Sequence, residues 1–476
     1  MLEVLEQSSD SFLTYIQLDS DGIAMDACPE LERLVSMDTV SDAKAGKQTS
    51  PQCPQYIKEK LETLGFTSEI LVSNGVLTTF SRRGYGAFKV LFLAHFDVVP
   101  VGEGWKTNPF VLNVQGEKAY GRGSCDDKGN IVSLLLLAEK LSMFEPPCTV
   151  MIAATGDEEL GGENGAGYLR GYLIKNGLFP DYVVVADGNG QKVIHRRRNV
   201  LPTTIKVKQT LARTRGQIEK VRFVTDTFET ETRHSAYFRP GVDRHSMLAA
   251  SKYLDLNPQV VVRGIRGAFL KTNVIPDWVE LEIVRPAPSA DEVEYDKALT
   301  GLFKALLPMS NAQFPTRYSD LGTFVSPNLL SLESNLWTLY CDVRAMTNDK
   351  ESVRAAFESS LKGKVDIFAL EVAAGKGFVE AKVDSKLIRA ATWALEKEGI
   401  KYTIGEGYGA SDSRYFSDAR EGLFDFGPRG DNVHGANEWV SLTSIEENAA
   451  FYQTLLEVLS REKPVSGRSV PGSSRP

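Results

Sequence analysis

The stretch Val90-Leu91-Phe92-Leu93-Ala94-His95-Phe96-Asp97 decides how this chain of 476 residues folds. Its first five residues are continuously apolar, which is typical of a strand that other elements cover on both faces of a parallel sheet. Two further apolar runs follow, Thr149–Thr155 and Tyr182–Asp187, and residues 130–141 have the pattern of a buried helix. This strand–helix–strand order predicts an α/β fold with a doubly wound, mainly parallel sheet.

The sequence pattern changes near residue 198 and changes back near residue 375. Between these points, runs of alternating apolar and polar residues surround amphipathic helices, which predicts a smaller, open-faced, ferredoxin-like α+β domain. We therefore expect a catalytic domain in two parts, 29–197 and 375–462, with a second domain inserted at 198–374. Residues 463–476, rich in Pro, Ser and Gly, have the composition of a disordered tail.

Composition and charge exclude several classes of protein. The chain has 54 basic and 62 acidic residues, a net charge of −8, so it has no overall positive field for binding nucleic acid. Its most apolar stretch, residues 131–138, is far shorter than the roughly 20 residues that span a membrane. The first ten residues do not resemble a signal peptide, and the five scattered cysteines include no CxxC pair. We expect a cytoplasmic protein with no nucleic-acid or membrane partner.

Titratable side chains follow each of the three apolar strands. His95 and Asp97 lie two residues apart, so they project to one face, and Asp97 is placed to orient the imidazole. Glu158 and Glu159 follow the second strand, and Asp187 ends the third. Because the carboxyl ends of parallel strands meet at one edge of a sheet, these groups should converge there. Burying so many carboxylates together requires a cation.

Two further segments complete the set. Asp126 lies in a glycine-rich turn that opens the buried helix, and His434 lies in the segment 427–438. Two imidazoles and three carboxylates form a mixed nitrogen and oxygen set that suits zinc. One bridging Asp would give each of two ions three protein ligands and a position for water, leaving one residue of the Glu158–Glu159 pair as general base. Each motif alone would more often be structural, but their ordered combination predicts a metal centre.

Six motifs carry a resemblance to a known family. They are AHFDVVP (94–100), GRGSCDDKGN (121–130), ATGDEELGG (154–162), VVVADGN (183–189), GASDSRYFS (409–417) and HGANE (434–438). Together they resemble the zinc-dependent amidohydrolase and exopeptidase family, whose members include acetylornithine deacetylase, succinyl-diaminopimelate desuccinylase, aminoacylase and carboxypeptidase G. The motifs span roughly residues 90 to 440 in the order of that family.

The resemblance implies two Zn²⁺ ions, with Co²⁺ or Mn²⁺ as possible substitutes. It assigns His95 and Asp187 to one ion, Glu159 and His434 to the other, and Asp126 to both. Glu158 would be the general base that activates the bridging water and later protonates the leaving amine. Asp97 would hold His95, and the peptide bond between Asp126 and Asp127 would be cis.

The inserted domain resembles the lid and dimerisation domain of the family. His234 would then reach the active site of a partner subunit in a homodimer and stabilise the oxyanion. Asn273 and Arg344 resemble residues that contact the substrate carboxylate, for which an arginine fork is well suited. The alternative for Arg344 is a salt-bridged sheet residue. Extensions near 211–231 and 285–335 distinguish this lid from the family pattern.

The other basic residues of this region are given no role in catalysis or metal binding. His245 is expected on the surface of a lid helix, and His195 is not assigned. The run Arg196-Arg197-Arg198 is interpreted as a solvated basic turn, with a hinge or an anion contact as the alternative.

The resemblance therefore implies a dinuclear zinc hydrolase that cleaves an amide bond beside a free carboxylate. Its expected substrate is an N-acyl amino acid of the acetylornithine or succinyl-diaminopimelate type. The alternative is a metallo-dipeptidase or carboxypeptidase that acts on short peptides with the same metal centre. A binding protein derived from such an enzyme would be expected to have lost ligands or the base, and none is missing here.

Overall fold

The computed structural model describes residues 25–42, 49–227, 234–239, 241–312, 314, 324–407, 409–419 and 421–461. The tail expected at 463–476 lies outside the described residues. None of the helices in these ranges is both long enough and apolar enough to cross a membrane. All five cysteines lie in described segments, and none of them forms a disulfide.

The described residues contain nine α-helices and twenty-two strands. The helices are α1 (Ala27–Val35), α2 (Gln52–Thr63), α3 (Lys128–Ser142), α4 (Ala166–Lys175), α5 (Ser246–Leu256), α6 (Lys297–Ser310), α7 (Lys350–Leu361), α8 (Lys386–Lys397) and α9 (Leu442–Arg461). The strands are β1 (Thr67–Ser73), β2 (Val76–Arg83), β3 (Lys89–His95), β4 (Asn113–Gln115), β5 (Lys118–Tyr120), β6 (Thr149–Thr155), β7 (Tyr182–Val185), β8 (Lys192–Arg197), β9 (Asn199–Val200), β10 (Thr203–Lys208), β11 (Leu211–Val224), β12 (Val261–Gly267), β13 (Trp278–Pro286), β14 (Glu292–Asp296), β15 (Phe324–Glu333), β16 (Leu336–Ala345), β17 (Ile367–Val372), β18 (Val379–Glu380), β19 (Thr403–Gly407), β20 (Gly422–Asp425), β21 (Gly430–Asp431) and β22 (Trp439–Ser441).

A nine-stranded sheet forms the centre of the first unit, in the order β1-β2-β6-β3-β7-β20-β8-β18, with β19 paired to β8. The central strands β6, β3, β7 and β20 run parallel, whereas β2 and β8 join them antiparallel. The mainly parallel α/β fold is thus confirmed. The register pairs His95 with Thr155 and Leu93 with Val185, so the carboxyl ends of β3, β6 and β7 lie side by side.

The two faces of this sheet explain why the strand sequences are continuously apolar. Phe92 and its alternate neighbours pack on one face with helices α1, α2, α3, α8 and α9. Leu91 and Leu93 pack on the other face with α4. Every residue of Val90–Ala94 is therefore buried, and the alternation that marks a half-exposed strand is absent from this run.

Residues 199–372 form two further antiparallel sheets. One has the order β15-β16-β10-β17 with β9 beside β16, and the other has the order β12-β13-β11-β14. Helices α5, α6 and α7 join the two sheets in one shared hydrophobic cluster. The described parts of the expected extensions contain regular structure: β11 lies in the first, and β14, α6 and β15 lie in the second. The two extensions supply β11 and β14, which are two of the four strands of the sheet β12-β13-β11-β14. The sequence pattern did not predict this.

Candidate metal centre

The proposed ligands lie where the central strands end. His95 is the last residue of β3, Asp187 lies two residues beyond β7, and Glu159 follows β6 in a short 3-10 turn. His434 and Asp126 come from two loops that lie over this edge. The chain therefore brings together all five residues that the sequence predicted as metal ligands.

Asp126 lies between the two histidines. Its Oδ1 is 2.9 Å from His95 Nε2, and its Oδ2 is 3.1 Å from His434 Nε2. Glu159 Oε1 is 2.9 Å from the same nitrogen of His434. One carboxylate thus faces both halves of the site, which is the arrangement that a bridging ligand requires.

Two overlapping groups of possible ligands share Asp126. Donor atoms of His95, Asp126, Asp127 and Asp187 lie within 4.8 Å of one another, and so do those of Asp126, Glu159 and His434. In Asp127 both carboxylate oxygens already accept hydrogen bonds, from the His95 amide at 3.0 Å and from the Asn130 side chain at 2.6 Å. Asp127 is therefore a supporting residue, and the remaining groups are three ligands for each of two sites.

The electrostatics of this cluster fit a pair of divalent cations. Burial raises the pKa of Glu159 to about 7 and raises the pKa of Asp187 well above its usual range. Burial would lower the pKa of His434, but the charge of Glu159 and the hydrogen bonds that the ring makes to the carboxylates of Asp126 and Glu159 raise it well above 6.5. Carboxylates crowded in this way are costly to ionise unless positive charge is supplied among them. Imidazole and carboxylate donors suit Zn²⁺ and similar ions.

Glu438 holds the loop that presents Asp126. Its buried carboxylate accepts hydrogen bonds from the amides of Gly123, Cys125 and Asp126 at 2.9–3.0 Å, and pairs with Arg122 at 2.7 Å. The Asp126–Asp127 peptide bond is cis, as the resemblance implied. The sequence analysis gave Glu438 no role, although its place four residues after His434 was a usable signal.

Asp97 does more than the expected orientation of His95. The His95 Nδ1 atom lies 3.4 Å from its carboxylate and 3.0 Å from its backbone oxygen. The same carboxylate accepts the amides of Glu158 at 3.1 Å and Glu159 at 3.2 Å, and the hydroxyl of Ser41 at 2.9 Å. Asp97 therefore connects the end of β3 to the turn that carries the proposed base.

Glu158 has a cationic neighbour that the sequence analysis missed. Arg414 Nη2 lies 3.4 Å from Glu158 Oε1, and both side chains are mostly buried. Arg414 belongs to the motif at 409–417, so the signal was present, but the motif was used only as a mark of resemblance. The contact places a fixed positive charge beside the proposed base.

The interpretation of Arg196–Arg198 as a solvated basic turn is wrong for Arg197. Arg197 ends β8 and is 8% exposed. Its guanidinium pairs with Asp425 and donates to the backbone oxygens of Asp187 at 2.8 Å and Gly409 at 2.9 Å. It thereby fixes the backbone of one proposed ligand. Within β8, Arg197 is buried while its neighbour Arg196 is partly exposed.

The lid and the metal-ligand cluster face each other across an open cavity of about 450 Å³. Four of the five proposed ligands, Asp126, Glu159, Asp187 and His434, line one side of this cavity, and His234, Asn273 and Arg344 line the other. The His234 ring lies 6.3 Å from the ring of His434 of the same chain. The expectation that this histidine reaches the site of a partner subunit is therefore corrected: in the structure it lies beside the ligand cluster of its own chain.

The contacts of His234 determine its tautomer. Burial, followed by the positive charges of Arg344 and His434, lowers the pKa of His234 to about 3, so the ring is neutral. The Ala236 amide donates to Nδ1 at 3.1 Å, which makes that atom the acceptor and leaves the hydrogen on Nε2. The Asn273 amide group lies 3.2 Å from Nε2 and must present its oxygen there. His234 is thus a neutral ring on the cavity wall whose Nε2–H donates to the Asn273 side chain.

Arg344 lies in the cavity and is also salt-bridged within the sheet, so the two sequence interpretations are compatible. Its Nε and Nη2 atoms lie 3.2 and 3.1 Å from Asp342 Oδ2.

His245 is not on a helix surface: it is buried at the N-cap of α5, where Nδ1 accepts the Met247 amide at 3.2 Å. His195 is buried and lies 2.8 Å from the Ala381 oxygen, which is a structural contact.

The fold and the site define a metal-dependent hydrolase, with ligands at the carboxyl edge of a parallel sheet and a lid across them. Residues 91–458 match the model of peptidase family M20/M25/M40, and the chain belongs to this family. It is therefore a metal-dependent amidohydrolase, as the resemblance implied.

Two curated relatives are succinyl-diaminopimelate desuccinylases. The enzyme of Methylobacillus flagellatus is 24% identical over 433 residues, which are 89% of this chain and 99% of that enzyme. The enzyme of Rhizorhabdus wittichii is 34% identical over 161 residues, which are only 33% of this chain and 41% of that enzyme.

Solved structures share the fold at low sequence identity. Aminoacylhistidine dipeptidase from Vibrio alginolyticus matches with a TM-score of 0.64 and 14% identity, covering 90% of this chain and 96% of that one. A dinuclear metal-binding peptidase of the M20 family from Bacillus subtilis matches with a TM-score of 0.52 and 13% identity, covering 91% and 97%. At these identities the likeness establishes the architecture alone.

Proposed function

We propose that this protein is a two-metal hydrolase that removes the acyl group from an N-acyl amino acid of the acetylornithine or succinyl-diaminopimelate type. The observation that carries the proposal is Asp126, which faces both histidines beneath a cavity that also contains Arg344. The two halves of the cavity thus combine a hydrolytic centre with a carboxylate-binding group. The desuccinylase relatives support an acyl-amino-acid substrate.

The metals would be held by the two groups of ligands that share Asp126, without Asp127. His95 and Asp187 would hold one ion, Glu159 and His434 the other, and Asp126 both, with Zn²⁺ proposed and Co²⁺ or Mn²⁺ as substitutes. Two such ions polarise a carbonyl group and lower the pKa of a shared water toward about 7.

The chain's own groups would supply the remaining chemistry. Glu158 takes a proton from the attacking water and returns it to the nitrogen of the leaving amine. His234 would stabilise the negative charge that develops on the carbonyl oxygen once that oxygen takes the place of the Asn273 side chain at Nε2–H. Arg344 and Asn273 bind the substrate carboxylate and so place the scissile amide above Asp126.

Residues 198–374 would act as a lid over the catalytic parts 29–197 and 375–462. Since His234 lies at the site of its own chain, one copy contains every proposed catalytic group. The expected homodimer and the cytoplasmic location remain predictions, and neither is needed for the proposed chemistry.

The direct test is a substrate panel on protein loaded with Zn²⁺, with chelator-treated protein as control. The panel contains N-acetylornithine, N-succinyl-diaminopimelate and a series of dipeptides. Strong preference for one acyl amino acid supports the proposal. Preference for dipeptides would replace it with the metallo-dipeptidase alternative, and equal activity with and without chelator would contradict both.

A further inference from the structure

A connected set of buried polar groups links two parts of the lid that face the cavity. Tyr340, Asp342 and Arg344 alternate along β16, so their side chains share one face, and all three line the cavity. Ser235 is fully buried and follows His234 directly in the chain. These residues join the proposed carboxylate-binding group to the proposed oxyanion-binding group.

Asp342 is the centre of this set and is 2% exposed. One of its oxygens, Oδ2, accepts hydrogen bonds from Arg344 Nε at 3.2 Å and Nη2 at 3.1 Å. The Ser235 hydroxyl makes a short hydrogen bond to the same oxygen and lies 3.1 Å from the Asn273 backbone oxygen. The hydroxyl has one proton, and the charged and nearer carboxylate is the stronger acceptor.

Ser235 in turn fixes the segment that carries His234. Its amide donates to the Asn273 oxygen at 2.8 Å, and His234 pairs with Val274 in an isolated bridge. The short 3-10 turn Ser235–Tyr237 begins at this point. A displacement of Ser235 would therefore move the imidazole, since only one peptide unit separates the two side chains.

We propose that Asp342 is a positioning residue that fixes both Arg344 and His234 through a single carboxylate oxygen. The inference rests on the proposed function, because it assigns these two residues to substrate carboxylate and oxyanion. Charge-assisted hydrogen bonds to one buried atom leave little freedom for either partner. Because a misplacement of about 1 Å can cost on the order of 100-fold in rate, this restraint has a kinetic consequence.

Substitution of Ser235 and substitution of Asp342 should have different effects on the steady-state kinetics. Ser235→Ala removes only the link to His234, which acts in the transition state, so kcat should fall about 10-fold with little change in KM. Asp342→Asn also weakens the hold on Arg344, which binds the substrate in its ground state. It should therefore lower kcat and raise KM, with a loss of about 100-fold or more in kcat/KM.

The experiment compares steady-state kinetics and thermal unfolding of Ser235→Ala, Asp342→Asn and Asp296→Asn, all loaded with Zn²⁺. Asp296 is a matched control: it is a buried lid carboxylate that accepts bonds from Leu299, Gln209 and Trp337, and it is not among the residues lining the cavity. Asp296→Asn should lower the Tm and leave kcat and KM unchanged.

If the wild type is active and Asp342→Asn has the same kcat and KM, the inference is overturned. Asp342 would then be a structural residue like Asp296. A wild type inactive on every substrate of the panel would overturn the proposed function and this inference with it. Should Asp342→Asn fail to fold, Ser235→Ala, which removes a single neutral hydroxyl, decides: a fall in kcat supports the inference, and unchanged kcat rejects it.

Discussion

The two walls of the cavity are built in different ways. On the sheet side, proposed ligands lie at or just beyond the ends of β3, β6 and β7, and backbone register brings them together. On the lid side, His234, Asn273 and Arg344 come from three separate segments that side-chain hydrogen bonds connect. The sheet side therefore depends on topology, whereas the lid side depends on a few polar contacts. The sheet side should tolerate substitution away from its ligands and the residues that hold them, and the lid side should not.

The largest effect is expected at Glu158. Glu158→Gln removes the proposed base and should lower kcat by about 10²- to 10⁴-fold, while the bound metal content stays the same because the five ligands are intact. Metal analysis and kinetics on the same sample check this. Glu163→Gln is the control, since Glu163 is exposed and pairs with Lys376. Full activity in Glu158→Gln would reject the assigned base.

A mixing experiment tests whether the lid serves its own chain. His234→Ala should lower kcat by about 10²- to 10³-fold through loss of one oxyanion donor. Since His234 and Glu158 belong to one site in one chain, a mixture of His234→Ala and Glu158→Ala proteins should have no more activity than their average. Recovery of substantial activity after mixing and subunit exchange would show that the histidine acts in a partner subunit.

Arg197 tests how far the sheet side depends on support for its ligands. Arg197→Lys keeps the charge but cannot make the three contacts to Asp425, Asp187 and Gly409. Affinity for the Zn²⁺ that Asp187 would hold should fall about 10- to 100-fold, as measured by titration against a chelator. Arg196→Lys, which alters a partly exposed neighbour, should have little effect. Equal affinities in the two variants would contradict the assigned support.

The smallest effect concerns stability in acid. Burial lowers the pKa of His245 from 6.5 to about 3, so between these pH values the unfolded chain binds a proton that the folded chain does not. This lowers stability by about 1.4 kcal/mol per pH unit as the pH falls below 6.5. His245→Asn, which keeps an N-cap acceptor, should reduce the slope of urea-unfolding free energy against pH by one proton. An unchanged slope would contradict a buried neutral His245.

The sequence predicted the central sheet and its ligands because both leave local signals. The apolar run at Thr149–Thr155 coincides with β6, and the helix expected at 130–141 is α3 with two more residues at its start and one more at its end. The signals for single side chains were weaker. Arg197 was misread because a run of three arginines suggests solvent, and only the pairing of β8 with its neighbours shows that one of them is buried.

The sequence by itself determined the fold class, the order of the proposed ligands and the proposed base, since strand periodicity and motif spacing are properties of neighbouring residues. Only the tertiary structure decided which lid residues face the cavity, that His234 lies at the site of its own chain, and that Asp342 joins Ser235 to Arg344. Ser235 and Asp342 are separated by 107 residues in sequence. No local pattern predicts such a contact, because its free energy depends on burial that exists only after both sheets have packed.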